Sequence, residues 1–161
     1  ELIKDLSKGV SECESCHRYF SQNREVQKMC PICLDPNRSQ DILMILEKDV
    51  DLDNIERGGL YNGHYFILGG TLPVLEKNPD RKIRSKLLFK RTEEGVFKEI
   101  ILGLSATPDG DSTASYIKDL LKDIVSQKNI KISTLGRGLS TGSELEYSDT
   151  ETIKNALQSR N

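Results

Sequence analysis

The sequence predicts an α/β fold: a mostly parallel sheet flanked by helices, preceded by a small cysteine-bearing module. Three observations predict it. From Asp41 onward, short apolar runs alternate with helix-like segments, the order of strand–helix–strand units. The strand runs are continuous rather than alternating, as in strands buried on both faces. Residues 1–40, by contrast, are polar and hold all four cysteines, so this unit needs a staple to fold.

The elements follow in order. Ile42–Leu46 is a buried-strand run ending at Glu47, and Asp49–Arg57 reads as a short helix stopped by Gly58-Gly59. His64–Leu68 is a second strand, stopped by Gly69-Gly70, and Ile83–Arg91 reads as a helix with Leu87 and Leu88 on one face. Phe97–Leu104 is a third strand. In Ala114–Gln127, Ile117, Leu120, Leu121, Ile124 and Val125 fall on one stripe spaced by three and four, the pattern of a half-buried helix. Ile130–Leu135 is a fourth strand. Ser148-Asp149-Thr150-Glu151 has capping-box spacing and opens a last helix with Ile153, Ala156 and Leu157 inward.

The chain has 161 residues, the size of one domain with a small appendage, and its 23 basic and 25 acidic residues leave a net charge of −2. This balance excludes a self-repelling disordered chain and a histone-like basic one. No apolar run approaches the length that spans a bilayer, and no export signal opens the chain, so a cytoplasmic protein without a membrane partner is expected. The first residue is Glu1, so the chain is expected to lack its native start.

Cys13 and Cys16 form one CxxC, Cys30 and Cys33 another, with thirteen residues between. Each pair can sit on a tight turn whose backbone N–H groups point at the sulfurs, and two such turns complete a tetrahedral S₄ site, the usual structural zinc site. Four protein ligands leave no open position, so the zinc is expected to be structural, and residues 10–40 to depend on it while the sheet persists without it. Two competitors exist. Cys13–His17 spells the CxxCH of haem attachment, which leaves the second pair unexplained; a thioredoxin-like pair at Cys30–Cys33 lacks the surrounding strand–helix pattern. His17 is then a neighbour of the site rather than a ligand.

Glu47 closes the first strand, and Asp109-Gly110-Asp111 follows the third, at the strand ends where open α/β sheets gather ligands. These carboxylates could hold a hydrated Mg²⁺. Alternatively, Asp109, Asp111 and Ser112 satisfy free N–H groups at a helix start. The stretch Lys77–Arg91 holds seven Lys or Arg and one Asp, making Lys82, Arg84, Lys86, Lys90 and Arg91 candidate phosphate contacts or a solvated helix face. Gly136–Gly142 lacks the GK[ST] of a phosphate loop and reads as a turn, and His64 reads as a packed histidine.

A four-cysteine module, a strand ending in Glu and a later acidic turn together resemble the bacterial recombination mediator family RecR. Arg137-Gly138-Leu139-Ser140-Thr141-Gly142-Ser143-Glu144-Leu145-Glu146-Tyr147-Ser148-Asp149 is similar to the family's terminal signature, with Ser140 in place of the usual Pro and Glu144 in place of Asp. Ile55-Glu56-Arg57, Gly59-Leu60-Tyr61-Asn62-Gly63, Leu68-Gly69-Gly70 and Thr107–Ala114 fall in the family's order, and the resemblance covers about residues 10–160. It implies a C4 zinc finger over 10–40, a Toprim domain over 41–142 and a C-terminal segment with a helix over 143–161. It also implies a non-catalytic role in DNA repair and recombination. Such proteins self-associate into a ring or clamp on single- and double-stranded DNA and act with RecO-like and RecF-like partners to load the recombinase at gaps. The acidic cluster carries over to Glu47, Asp51, Asp109 and Asp111 as a partner-contacting or Mg²⁺-binding surface.

Three departures stand out. The family opens with a helix-hairpin-helix segment, of which Glu1–Gly9 is expected to be the last helix. The finger carries an enlarged loop, Tyr19–Met29, and the acidic turn has Asp where the family usually has Glu. The latter restores the DxD of catalytic Toprim enzymes and makes a Mg²⁺-dependent Toprim nuclease the alternative function. With pI near 5.8, the chain is expected to bind DNA weakly and in a salt-dependent manner.

Overall fold

The computed structural model describes residues 9–21, 27–142 and 144–159. Residues 1–8, the expected end of a helical segment, lie outside the described residues, as do 22–26 of the finger loop, Ser143 of the terminal signature and 160–161.

A short antiparallel hairpin, β1 (Val10–Glu12) and β2 (Tyr19–Ser21), brackets the first CxxC, and a single helical turn, α1 (Pro31–Leu34), carries the second. There follow β3 (Ile42–Leu46), α2 (Asp49–Gly58), β4 (His64–Ile67), α3 (Ser85–Glu94), β5 (Glu99–Gly103), α4 (Pro108–Lys128), β6 (Lys131–Thr134) and α5 (Thr150–Gln158). The larger sheet is wholly parallel with order β4-β3-β5-β6; Leu43 of β3 stands opposite His64 on one side and Ile100 on the other. The strand order reverses direction at β3, so the crevice between the carboxyl ends of β3 and β5 is the place such a sheet offers for a ligand. Among the described residues no helix is long and apolar enough to cross a membrane.

Side chains alternate across the sheet, and the two faces are covered differently. On one face Leu43, Ile45, Phe66, Leu68, Ile100 and Leu102 pack against Leu88 of α3 and Ile117, Leu121 and Ile124 of α4. On the other, Met44, Leu46, Tyr65 and Ile67 pack with Leu52 of α2 and with Cys13, Cys16, Cys30 and Phe20 of the cysteine module. Helices were expected on both faces; here the module takes a share of the second.

It is also tied there by polar contacts. The Ile67 N–H donates to the Cys16 carbonyl at 2.8 Å, Arg84 Nε lies 3.3 Å from Glu12, Arg18 2.9 Å from Asp53, and the Tyr19 N–H 3.1 Å from the Asp49 carboxylate. Beyond the module, Arg38 pairs with Glu56 and donates to the Gly63 carbonyl, while the Tyr65 hydroxyl donates to Glu56 at 2.5 Å. The module and the sheet thus share one core, so the metal is expected to support the sheet as well as residues 10–40.

Several ends differ from the sequence reading. Ile83 is buried ahead of α3, which starts at Ser85 and continues to Glu94. α4 begins at Pro108, well before Ala114, because the Thr107 hydroxyl accepts the Gly110 N–H at 3.1 Å and Pro108 presets the first helical φ. The acidic turn is therefore the first turn of the helix. The cap of α5 is Asp149 rather than Ser148, its carboxylate accepting the Thr152 N–H at 2.9 Å.

His64 is 3% exposed, and neither ring nitrogen has a hydrogen-bond partner. Burial, with the Arg91 and Arg38 charges against only Asp35 in its favour, holds its pKa below the ordinary value. The unfolded chain therefore binds a proton that the folded one refuses, so stability is full above about pH 6.5 and falls as pH drops below it, by at most about 1.4 kcal/mol per pH unit from this group. Urea midpoints measured from neutral pH down to mildly acidic pH should show this decline, and His64→Phe should flatten it.

Candidate metal centre and acidic face

Two tight turns build the cysteine site. In the first, the Cys13 N–H donates to the Arg18 carbonyl and the His17 N–H to the Cys13 carbonyl, with His17 in the left-handed region at φ 62°. In the second, Pro31 starts α1 directly after Cys30, and the Leu34 N–H donates to the Cys30 carbonyl at 3.1 Å. The Cys30 N–H points at Cys13 Sγ, 3.3 Å away.

The four sulfurs lie within 4.8 Å of one another, and Cys16 Sγ is 3.7 Å from Cys30 Sγ. A tetrahedron with metal–sulfur bonds of about 2.3 Å has edges of about 3.8 Å, so this donor set fits a four-coordinate thiophilic metal. Cys13, Cys16 and Cys30 are fully buried and Cys33 is half-buried. Hydrogen bonds from Cys16, Cys30 and Cys33 hold the Cys13 thiol well below its usual range, while the same contacts and burial push Cys16 and Cys33 above it, so a bound metal cation would have to ionise the latter two. His17 is committed elsewhere: its Nδ1 is 2.9 Å from Glu12 and its ring meets Phe66 edge-on at 5.2 Å. Among the described residues the four cysteines are the one group of three or more His, Cys, Asp or Glu placed to hold a metal ion.

The predicted acidic residues gather at the carboxyl end of the sheet, each with a different occupation. Glu47, only 8% exposed, accepts both the backbone N–H and the hydroxyl of Ser105 at 2.6 Å. Asp51 accepts the Lys48 N–H at 3.0 Å and so closes the capping box of α2. Glu47 and Asp51 line one shallow hollow with Ser105 and Leu135. Asp111 faces another way, paired with Arg137 at 2.5 Å, and Asp109 has no side-chain partner among the described residues. Gly110 is required between them, since a Cβ there would collide with the Ser105 carbonyl. Sequence reasoning missed Ser105, Thr107 and Arg137 as members of this face. Arg137 had a faint signal as a cation between two glycines after a strand; Ser105 had none.

The basic candidates divide as well. Arg84 is drawn inward by Glu12 and by the Ile67 carbonyl at 3.3 Å, and Arg91 lies 5.2 Å over the Phe97 ring. Lys86 pairs with Asp80 at 3.1 Å and Lys90 with Glu94 at 3.8 Å, all exposed, while Lys82 is exposed with no side-chain partner among the described residues.

Residues 41–135 match the family model described as Toprim domain, and residues 138–161 match the one described as RecR, C-terminal. The curated Recombination protein RecR of Maridesulfovibrio salexigens is 37% identical over 99% of this chain and 76% of its own length. Those of Lactobacillus helveticus and Rhodopseudomonas palustris are both 36% identical, over 98% and 94% of this chain and 79% and 71% of their own. The chain belongs to the RecR family. The RecR-type C-terminal match begins just after Arg137, so the Arg137–Asp111 pair ties the link between the two matched regions back to the Toprim region.

Replacing Cys13 by Ser is expected to abolish stoichiometric metal binding in elemental analysis. Because the sulfurs share a core with Met44, Leu46, Tyr65 and Ile67, it is also expected to lower the melting temperature of the whole chain, sheet included. Full metal retention would contradict the four-sulfur site.

Proposed function

We propose that this RecR-family chain is a non-catalytic mediator of DNA recombination and repair in the bacterial cytoplasm. It self-associates into a ring or clamp on single- and double-stranded DNA, engages RecO-like and RecF-like proteins, and helps load the recombinase at gaps. The metal of the cysteine site is a structural zinc, one per chain, held by Cys13, Cys16, Cys30 and Cys33. When bound it supplies cross-linking and no reactive position, since all four ligands are protein sulfurs.

One observation carries this reading beyond the family likeness: the carboxylates at the sheet's carboxyl end are engaged in internal contacts. Glu47 is held by Ser105, Asp51 by its own helix and Asp111 by Arg137. A catalytic Mg²⁺ site needs carboxylates converging on one ion, whereas exposed Asp111, held by Arg137, with Asp109 beside it, suits a docking face for a basic partner. Mg²⁺ would have to displace Arg137 from Asp111.

In calorimetry with a RecO-like protein, Asp111→Asn is expected to weaken binding by about tenfold, or about 1.4 kcal/mol. Its melting temperature should change little, because an exposed ion pair contributes at most about 1 kcal/mol. Unchanged affinity would remove the docking role. Gapped DNA incubated with the chain and Mg²⁺ should stay intact; shorter products that disappear in Asp109→Ala would establish a Mg²⁺-dependent nuclease instead.

A further inference from the structure

The structure sorts the basic stretch 77–91 into cations that are spent and cations that are available. Arg84 and Arg91 are spent, one bridging the finger to β4 and the other stacked on Phe97. Arg81, Lys82 and Lys86 are exposed and, with Arg84, line a hollow of about 370 Å³ floored by Leu68, Gly69 and Ile83. Arg81 and Lys82 have no side-chain partner among the described residues. One carboxylate, Asp80, shares the hollow; the Ser85 hydroxyl and Lys86 hold its pKa below the ordinary value, and it in turn fixes where Lys86 stands. Arg84 is turned to Glu12 and Lys86 to Asp80, so Arg81 and Lys82 are the free cations of this concave surface, on a chain whose net charge is −2.

We infer that this hollow binds the phosphate backbone of nucleic acid. The shape favours a strand over a small anion: the concavity is open, and its cations continue along α3 to Lys90, about 6 Å from Lys86 along the helix axis. That spacing is within two nucleotides of a strand carrying one phosphate per roughly 3.4 Å of axis. Contacts from Arg81 and Lys82 to phosphates carry no sequence information, so binding is independent of sequence. The hollow lies beside β4 and α3, whereas Asp109 and Asp111 open α4 after β5. DNA and a basic partner can thus occupy different surfaces of one chain. The choice of nucleic acid over other polyanions rests on the proposed role in recombination.

The test is fluorescence anisotropy of labelled oligothymidylate and of a duplex, titrated with the whole chain over a range of salt. The double variant Arg81→Glu/Lys82→Glu should weaken binding at low salt by about tenfold or more and lower the log–log salt slope by about 2. Lys122→Glu, an equal kind of change on the exposed side of α4, should have much less effect. Arg81→Gln/Lys82→Gln, with a melting curve matching the parent, should give a smaller loss of the same sign. The inference is overturned if the parent chain does not bind at low salt, if the double variant binds like the parent, or if Lys122→Glu weakens binding equally. It is also overturned if inorganic phosphate displaces the strand more effectively than chloride of equal ionic strength, which would make the hollow a small-anion site. The docking role of Asp111 is decided by partner calorimetry, so either reading can fail while the other stands.

Discussion

The four buried sulfurs and one face of the parallel sheet form a single packed unit, and the remaining architecture depends on that junction. Met44, Leu46, Tyr65 and Ile67 would lose much of their cover without Cys13, Cys16, Cys30 and Phe20, since α2 contributes only Leu52 as a fully buried side chain there. A metal that draws the sulfurs together therefore tightens the enclosure of β3 and β4 as well as the finger. Arg84, Arg18 and Tyr19 fix the orientation of the module on the sheet by contacts that cross the junction. The sheet in turn sets the positions of Glu47 and the start of α4, so the geometry of the finger and that of the acidic face are connected through β3.

The acidic face is assembled from short polar contacts, two of which join residues far apart in the chain. Ser105 reaches back to Glu47, Thr107 caps α4, and Arg137 returns to Asp111. Gly110 lets the first turn of α4 press against the Ser105 carbonyl, which keeps Ser105 in place for Glu47. A face built this way presents fixed charges on rigid elements, the arrangement that gives selectivity toward an oppositely charged surface with little reorganisation on binding.

Local patterns carried most of the fold. The CxxC pairs, the apolar runs of β3 and β4 and the three-and-four stripe of α4 each report their own structure, because the signal lies within a few residues. What the sequence did not disclose depends on distant segments meeting. The sharing of a core between the cysteines and Tyr65, the pairing of Arg137 with Asp111 and the inward turn of Arg84 toward Glu12 have no local signature. A helix start at the acidic turn was one of the two readings offered for Asp109, Asp111 and Ser112, and the structure bears it out, with Thr107 as the cap and Pro108 as the first residue. Likewise Lys82 and Arg84 look alike in sequence, and only the fold separates the exposed cation from the one held by Glu12 and Ile67.

The sheet has two edges, and they are guarded by different means. β6 begins with Lys131 and runs out toward Gly136, features that discourage another strand from adding to it. β4 has no such defence in its own sequence, His-Tyr-Phe-Ile; its outer edge is covered because the Ile67 N–H is bonded to the Cys16 carbonyl. The turn that carries the first cysteine pair thus doubles as cover for the strand edge most open to pairing with another chain.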